Sequence, residues 1–400
     1  MAQWQCRVKP HKALNLHLVL RILAFLSFLS FGLTLWRWVA AARFPLHHRA
    51  AARPPLPGCT VLKPLKGCDA ETKSCLRSWL AQDYPGPAQI LFGVASADDP
   101  VCPVVRELLA EFPQAEAQLV VCAADLGVNG KISTLRQLER LRRHPLVVIS
   151  DADVRAPGDL LASLTPAFAD PEIGLVNCLY RLSSPGGLAM RWEAIAVNAD
   201  FWSSVAQAQS LKKVDFALGA VMAVRAEQLG EIGGFAALAD YLADDFQMGR
   251  QIARLGKRIV FSTVVVDCQE SPRNWAQAWA HQVRWARTIR VCEPVLFFFS
   301  SLDNATLWPL LLLGASRPWL SAAASPVLPV CLFFFLFRIA TAVWQEGRLT
   351  GGRGHFGYFW MVPVKDLLNA AVWVAAFSGN QIRWRGQRYR VMPGGRLRSV

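Results

Sequence analysis

The chain has 400 residues, of which 53% are hydrophobic, and its mean hydropathy is +0.25. It is too apolar for an ordinary soluble protein and too charged for a pure membrane bundle, so we expect one soluble domain joined to membrane-embedded segments. The net charge of +14 suits nucleic acid or an anionic bilayer, but no basic run is interleaved with aromatic residues, which excludes nucleic acid as an expected partner and favours the lipid bilayer.

The first predicted element is a membrane anchor. Residues 14–39 form an apolar run that is long enough to cross a bilayer, which takes about 20 residues. A cleaved signal peptide is the alternative, but the run is longer than a signal-peptide core and no small-residue cleavage site ends it cleanly. We therefore predict a transmembrane anchor in residues 1–40. Residues 41–58 are rich in Ala, Arg and Pro and are predicted to be a linker.

From residue 59 to residue 290 the pattern is that of a soluble α/β domain. The first seven predicted segments alternate between strand and helix, and they are TVLKPLKG, ETKSCLRSWLAQDYP, AQILFGVAS, CPVVRELLAEFP, AQLVVCAA, KISTLRQLERLRRH and PLVVIS. Continuous apolar strands that alternate with helices predict a mostly parallel sheet covered on both faces. In such sheets, ligands bind beyond the carboxyl ends of the strands.

Two pairs of aspartates follow predicted strands at that edge. Asp151 and Asp153 offer hard oxygen ligands for Mg²⁺ or Mn²⁺, which would share the charge of a substrate diphosphate. The alternative is that they solvate the end of the strand, or that Asp153 caps the next helix. Asp98 and Asp99 could accept hydrogen bonds from a nucleoside base or ribose, or could simply form a turn, and the pattern does not separate the two residues.

A third acidic pair, Asp244 and Asp245, stands at the head of the predicted helix in YLADDFQMGRQIARLGKR. Carboxylates stabilise the positive end of a helix dipole, which accounts for one of them. The other could act as a general base that takes the proton from an attacking hydroxyl. The preceding residues 214–235 are rich in glycine and suit the close approach of a substrate.

The segment NWAQAWAHQVRWARTIR predicts an amphipathic helix with two stripes at helical spacing. The stripes consist of Trp275, Trp279 and Gln282 on one side and of His281, Arg284 and Trp285 on the other. A helix rich in Trp and Arg fits the interfacial plane of a membrane. The planar, permanently charged guanidinium of Arg284 also suits a diphosphate leaving group, which favours a catalytic role. The alternative is that the helix only anchors the domain to the membrane.

Residues 291–400 are predicted to contain membrane segments and a basic tail. The apolar segments are 295–315, 319–344 and 361–377. If the tail and the soluble domain face the same side of the membrane, an even number of these segments must cross it. Polar pairs, Lys365 with Asp366 or Asp303 with Asn304, indicate that one segment is re-entrant or interfacial.

The order of these motifs resembles that of membrane-bound, family-2-like glycosyltransferases with the GT-A fold, and more narrowly that of the ceramide glucosyltransferase family, which includes bacterial lipid and hopanoid glycosyltransferases. The matching motifs are LKPLKGCD, DYP, DDP, ISDADVR, YLADDFQMGRQIA, VCEP and GQRYRV. The resemblance implies an α/β, GT-A-type nucleotide-sugar-binding domain in residues 59–290, flanked by N- and C-terminal membrane helices. It also implies inverting transfer of a hexose, glucose or N-acetylglucosamine, from a UDP-sugar to a lipid hydroxyl.

The resemblance also implies roles for the residues on the donor side. Asp98 or Asp99 falls at the first aspartate motif, which contacts the nucleotide, and Lys66 belongs to the same nucleotide-sugar-binding set. Asp151, with Asp153, falls at the second motif, which serves the divalent cation and the diphosphate.

On the other side of the reaction, Asp245 falls at the third aspartate motif and would be the catalytic base. Arg284 and Trp285 end the family's Gln/Arg-x-x-Arg-Trp motif and would act in catalysis. The residues expected on the acceptor or leaving-group side are Asp244, His281 and Gln282.

Two departures from the family pattern concern the acceptor. His281 occupies the position where the motif normally has Gln or Arg, and no histidine lies between His144 and His281, where ceramide enzymes have one. A hopanoid or another lipid is therefore an alternative to ceramide.

Two rival functions remain open from the residues. A processive polysaccharide synthase would need a translocating channel with more spanning segments. A non-catalytic membrane scaffold would leave unexplained why carboxylates 98, 151 and 245 are all expected at one sheet edge. We expect an integral membrane enzyme with a cytoplasmic α/β domain, in a bacterial inner membrane rather than a Golgi-type membrane.

Overall fold

The computed structural model describes residues 10–49, 56–183, 185–269, 271–316, 326–352, 356–384 and 387–399. An eight-stranded sheet forms its centre. The strands are β1 (Cys59–Pro64), β2 (Ala88–Val94), β3 (Glu116–Val121), β4 (Leu146–Ser150), β5 (Val154–Arg155), β6 (Ile173–Leu182), β7 (Val221–Arg225) and β8 (Arg258–Cys268). They lie side by side in the order β3-β2-β1-β4-β7-β6-β8-β5.

Helices cover this sheet, and others form the apolar segments at the two ends of the chain. They are α1 (Pro10–Arg43), α2 (Thr72–Leu80), α3 (Val101–Glu111), α4 (Gly130–Glu139), α5 (Leu160–Leu164), α6 (Leu188–Ile195), α7 (Trp202–Leu211), α8 (Ala226–Glu231), α9 (Asp244–Arg254), α10 (Trp275–Cys292), α11 (Pro294–Phe299), α12 (Leu307–Ser316), α13 (Val327–Thr350) and α14 (Met361–Ala376). The predicted α/β class and the seven segments from β1 to β4 are confirmed.

The orientation of the strands determines where ligands can bind. Strands β1 to β4 pair in parallel, as do β6 and β8. Strand β7 runs antiparallel to β4 and β6, and β5 runs antiparallel to β8. The sheet is mostly parallel, as predicted, with one reversed strand near its middle. Because β1 and β4 end at the same edge, the loops that begin at Leu65 and Asp151 face one another.

Both faces of the sheet are buried, as continuous apolar strands predict. Adjacent residues Val61 and Leu62 of β1 are both fully buried, yet they belong to separate core clusters on opposite faces. Helices α2 and α3 cover one face, for example through Trp79. Helices α4 and α9 cover the other, for example through Ile132 and Met248.

The apolar helices fit a membrane in part. Residues 16–43 of α1 and the whole of α13 are long and apolar enough to cross a bilayer, and they are two such spans among the described residues. A third arises if Pro294–Asp303 and Leu307–Ser316, bent by 52°, form one broken span. The predicted segment 295–315 is therefore the interrupted one. Residues 319–325 of the next predicted segment, and residues 50–55 of the predicted linker, lie outside the described residues.

Buried charges join the apolar helices α1, α13 and α14 to the α/β domain. We call the following six side chains the charge cluster: Arg37, Asp200, Asp303, Arg338, Lys365 and Asp366. Asp200 lies in the π-helical turn Ala196–Phe201 between α6 and α7 and accepts a hydrogen bond from Arg338 at 2.8 Å. Asp366 lies 2.9 Å from Arg338 and 2.5 Å from Lys365. Three cations and three carboxylates balance, which is how charges are tolerated in a dry interior.

Removing Arg338 should test this cluster. We expect Arg338→Met to lower the free energy of unfolding by about 3–5 kcal/mol, because Asp200 and Asp366 would lose one of the two cations they share and Lys365 alone would face both carboxylates. Thermal unfolding of the detergent-solubilised protein, followed by tryptophan fluorescence, measures the effect. Lys73→Met, which removes an exposed cation paired with Glu107, should leave the midpoint unchanged. Equal midpoints for both variants would show that the cluster does not stabilise the fold.

The basic tail folds into a second, three-stranded antiparallel sheet. Its strands are β9 (Gln381–Trp384), β10 (Gln387–Val391) and β11 (Leu397–Ser399). The tail packs against the segment that leads into α9: Leu242 N–H donates to the carbonyl of Gly395, and Leu397 N–H donates to the carbonyl of Asp240. The tail therefore supports the start of the helix that begins with Asp244 and Asp245.

Candidate active site

The loops at the carboxyl edge of the sheet enclose a cavity of about 1120 Å³. The sequence-predicted site residues that line it are Lys66, Asp151, Asp153, Asp244, Asp245, His281, Arg284 and Trp285. Asp98, Asp99 and Gln282 are the predicted residues that do not line this cavity. Residues from the two ends of the α/β domain therefore meet around one space.

The D-x-D loop that follows β4 is held from beneath by a lysine. Lys63 of β1 is fully buried, and its Nζ donates to the carbonyl oxygen of Asp151 at 2.6 Å and to Ser150 Oγ at 3.2 Å. Burial lowers the pKa of Lys63 to about 8. These bonds fix the backbone of the loop and leave the Asp151 carboxylate, which is 40% exposed, at the cavity.

Asp99 holds the loop after β1 rather than lining the cavity. Its carboxylate accepts from Gly67 N–H at 3.0 Å and from Val101 N–H, at the start of α3, also at 3.0 Å. Gly67 has a φ of +76°, a conformation that side chains with a Cβ rarely adopt. Lys66, which precedes it, lines the cavity, whereas Asp98 is exposed. The two aspartates are thus distinguished: Asp99 shapes the loop, and a nucleotide contact by either stays a prediction.

A lysine that the sequence analysis did not single out connects the two acidic loops. Lys131 Nζ lies 2.7 Å from Asp151 Oδ1 and 3.2 Å from Asp244 Oδ2. Burial acts to lower the pKa of Lys131, but the carboxylates of Asp151 and Asp244 outweigh it and raise that pKa. The side chain of Asn129, which caps α4, also donates to the carbonyl of Tyr241 at 2.8 Å.

A signal for Lys131 was present in the sequence. A cation in the first turn of a helix opposes the helix dipole, so it needs carboxylate partners. Lys131 follows the cap Asn129 at the same sheet edge as Asp151, which is where such partners lie.

Asp245 combines partial burial with a raised pKa. It is half-buried at the start of α9, and its Oδ1 accepts from the N–H of Phe246 at 2.8 Å. Burial and the neighbouring carboxylate of Asp244 raise the pKa of Asp245 to about 7. A Cβ on Gly219 would lie 2.9 Å from Asp245 Oδ2, so only glycine leaves room for the carboxylate there. The close neighbour of this glycine is therefore Asp245, and the close approach of a substrate to the glycine-rich stretch stays a prediction.

Helix α10 forms the wall opposite the sheet. Asn274 and Gln277 form a capping box at its start. His281, Arg284 and Trp285 line the cavity, and the rings of His281 and Trp285 lie 4.7 Å apart.

The predicted stripe of Trp275, Trp279 and Gln282 does not line the cavity. The rings of Trp275 and Trp279 lie 6.0 and 6.2 Å from the ring of Trp192 on α6. Gln282 of α10 donates a hydrogen bond to Glu193, which is also on α6, at 3.0 Å.

The carboxylates of the D-x-D loop supply part of the ligand set that a hard divalent cation needs. No group of three or more His, Cys, Asp or Glu side chains that could hold a metal occurs within the described ranges. Asp151 and Asp153 both line the cavity and could supply two carboxylates. Mg²⁺ and similar ions are commonly bound by one or two carboxylates with substrate phosphates and water completing the coordination, so the set is sufficient when a diphosphate is bound.

Comparison with known proteins gives consistent matches along most of the chain. The model of Glycosyl transferase family 21 matches residues 19–397. The chain is 24% identical over 367 residues to Ceramide glucosyltransferase 1 of Caenorhabditis elegans, a match that covers 89% of this chain and 76% of that protein. It is 21% identical over 360 residues to Ceramide glucosyltransferase 3 of the same organism, covering 89% and 77%.

Among solved structures, the fold is similar to that of the mannosyltransferase PcManGT from Pyrobaculum calidifontis, solved with GDP-Man and Mn²⁺. The TM-score is 0.56 and the sequence identity 22%, and the match covers 87% of this chain and 98% of that one. At this identity the likeness concerns the fold.

Proposed function

The chain belongs to glycosyl transferase family 21, and on that premise we propose that it moves a hexose, glucose or N-acetylglucosamine, from a UDP-sugar to the hydroxyl of a membrane lipid. The observation that supports this most directly is the pair of contacts made by Lys131 with Asp151 and Asp244. Through Lys131, Asp151, which we propose serves the diphosphate, lies near Asp244, the neighbour of the proposed base Asp245. Donor and acceptor chemistry can therefore meet in one cavity.

The proposed mechanism is a single inverting displacement. The lipid hydroxyl attacks the anomeric carbon from the face opposite the diphosphate, a C–O bond forms, and the bond to UDP breaks. Asp245 accepts the hydroxyl proton, while Arg284 stabilises the negative charge that develops on the departing diphosphate. Lys66, Asp98 or Asp99 would bind the nucleotide sugar, and Trp285 would shape the site beside His281.

Asp151 and Asp153 are the residues that would hold a divalent cation, Mg²⁺ or Mn²⁺, and such an ion would neutralise part of the diphosphate charge. The Mn²⁺ in the structure of PcManGT, which has a similar fold, supports the use of a divalent cation. On the protein side, Lys63 and Lys131 keep the D-x-D loop in place, so that its carboxylates are positioned before the donor arrives.

We infer that the acceptor is a lipid such as ceramide or a hopanoid, delivered from the bilayer. The names of the relatives in Caenorhabditis elegans support ceramide. Helix α10 lies between the cavity and an apolar cluster that contains residues of α6, α11, α13 and α14. This position suits a helix at the interface between water and the membrane. Two described spans, or three with the bent pair, are fewer than a polysaccharide channel needs, which favours a lipid acceptor over processive synthesis. We propose a cytoplasmic orientation in a bacterial inner membrane.

An assay with radiolabelled donors tests the proposal. Membranes that contain the protein are incubated with UDP-glucose or UDP-N-acetylglucosamine and with ceramide, hopanoid or sterol acceptors. Label in a lipid band is the expected result, and it identifies both substrates. Label in high-molecular-weight polymer would support the synthase instead. No transfer with any donor and acceptor, in protein that is folded, would contradict the proposal.

The pH dependence of transfer follows from the raised pKa of Asp245. The base must be ionised to accept a proton, so we expect kcat/KM to rise as the pH increases through about 7. Asp244→Asn should move the inflection to lower pH, because it removes the like charge beside Asp245. For stability the sign is opposite: a carboxyl with a raised folded-state pKa contributes stability at low pH that is lost as the pH rises through about 7. An inflection that Asp244→Asn leaves in place would contradict this coupling.

A further inference from the structure

A fully buried glutamate lies behind the histidine of the cavity wall. Glu193, on α6, has a side chain that is 1% exposed. Its Oε1 lies 2.7 Å from His281 Nδ1 and accepts from Gln282 Nε2 at 3.0 Å. Its Oε2 accepts from Arg273 Nη1 at 3.1 Å. Neither the motif order nor the proposed mechanism uses Glu193.

The contact at 2.7 Å determines where the proton of His281 resides. A carboxylate oxygen accepts hydrogen bonds but cannot donate them, so Nδ1 must be protonated at that distance. Three donors around Glu193 keep the carboxylate ionised, and the hydrogen bond from His281 helps to hold its pKa below the usual value even though burial opposes this. Arg273 Nη1 lies 3.1 Å from the same ring nitrogen. The protonated Nδ1 and the guanidinium are both donors and cannot hydrogen-bond to each other, so Arg273 donates to Glu193 instead.

The other ring nitrogen, Nε2, is then the one available to a ligand. Histidine with Nδ1 protonated and a neutral ring presents Nε2 as a hydrogen-bond acceptor. An ionised diphosphate also offers only acceptors, so a neutral His281 cannot donate to it. A hydroxyl group is the partner that fits.

We propose that Glu193 is a positioning residue that keeps the proton of His281 on Nδ1, so that Nε2 accepts a hydrogen bond from the hydroxyl of the lipid acceptor; this inference rests on the function proposed above. The location of the pair favours the acceptor over the sugar as that partner. Glu193 and His281 join α6 to α10, and both helices contribute to the apolar cluster that also contains α14 residues Met361 and Val362. The donor-side carboxylates Asp151 and Asp153 come from the sheet instead.

The test separates acceptor from donor kinetics. For Glu193→Gln we expect kcat/KM for the lipid acceptor to fall about 10- to 100-fold, the usual cost of losing a supporting carboxylate behind a histidine. The amide replaces one acceptor oxygen with a donor, so one of the three donors around it loses its partner. The KM for the UDP-sugar should change by less than about twofold. A rise in donor KM of the same size as the acceptor effect would place the ring on the donor and overturn the inference.

A double-mutant cycle with His281→Phe gives a second, independent result. If Glu193 acts through His281, Glu193→Gln should have no further effect on acceptor kcat/KM in the His281→Phe background. Full additivity of the two substitutions would overturn the positioning role.

Trp192→Phe is the matched control on the same helix. It removes the indole hydrogen bond to Asn369 Oδ1 at 3.1 Å, so it should lower the thermal midpoint without changing the ratio of acceptor to donor kinetics. The same acceptor-specific loss in Trp192→Phe would overturn the inference, because loosening of α6 alone would then explain it. A wild-type protein that transfers sugar to no lipid would overturn the proposed function itself, whereas an active wild type with unaltered Glu193→Gln kinetics would overturn this inference alone.

Discussion

Asp245→Asn is expected to reduce kcat for sugar transfer by about 10³-fold, because an amide cannot accept the proton of the attacking hydroxyl. Donor binding should persist, since Lys66, Asp151 and Asp153 remain in the cavity lining. The variant should also be at least as stable as the wild type at neutral pH, because it removes a carboxyl whose charge is opposed by Asp244 and by burial. Transfer to the lipid, UDP-sugar binding and the thermal midpoint measure the three effects.

Asp240→Asn is the matched control for Asp245→Asn. Asp240 is an exposed carboxylate five positions earlier in the chain, so its loss changes the net charge equally without touching the cavity. It should retain full transfer. Activity within a few-fold of wild type in Asp245→Asn, in protein that binds donor normally, would exclude Asp245 as the base and require another proton acceptor.

Lys131→Met is expected to have the second-largest effect, a fall in kcat/KM of about 10²- to 10³-fold, as for other preorganised charged groups in active sites. Methionine keeps the length of the side chain but removes the charge between Asp151 and Asp244. The charge of Lys131 also opposes the rise in the pKa of Asp245. The remaining activity should therefore require a higher pH than in the wild type.

The shift in pH dependence distinguishes this prediction from simple unfolding. Lys212→Met removes an exposed cation that pairs with Asp215, and it should change neither the rate nor the inflection. A Lys131→Met variant with reduced activity but an unmoved inflection would show that Lys131 does not act on Asp245 through its charge. A Lys131→Met variant that reaches the wild-type rate at any pH would contradict a catalytic contribution of Lys131.

Local patterns were sufficient for the first half of the fold and insufficient for the second. Segments such as β1, α2 and β2 are predictable because apolar runs of strand length alternate with helical periods and are followed within a few residues by breaks such as Pro85 or Asp98. The reversal of β7 was not predictable, because a short buried run such as VMAVR has the same pattern in either direction. The tail sheet was missed for a related reason: its partners, including Asp240 and Leu242, lie about 150 residues away in the sequence.

The site shows the same division. The positions of Asp151 and Asp153 after a strand, and of Asp245 at the head of a helix, predict them from the sequence, and all three line the cavity. Glu193 has no such marker, because it lies within a helix whose pattern predicts only packing, and its partner His281 is 88 positions further along the chain. Asp99 shows the reverse case, since its position predicts a ligand contact while its hydrogen bonds to Gly67 and Val101 organise the backbone.

The contacts between the tail and the start of α9 have a consequence for biosynthesis. Gly394 and Gly395 accept hydrogen bonds from Gln247 and Leu242, so the helix with the acidic pair is completed by residues that the ribosome adds about 150 positions later. Domains generally fold in order of synthesis, N-terminal parts first. Here α13 and α14 emerge between the two partners. A nascent chain can thus form its central sheet early, yet the helix that carries the acidic pair gains its contacts with Gly394 and Gly395 only after α13 and α14 have been synthesised. We therefore expect the cavity that Asp244 and Asp245 line to be the last part of the molecule to be completed.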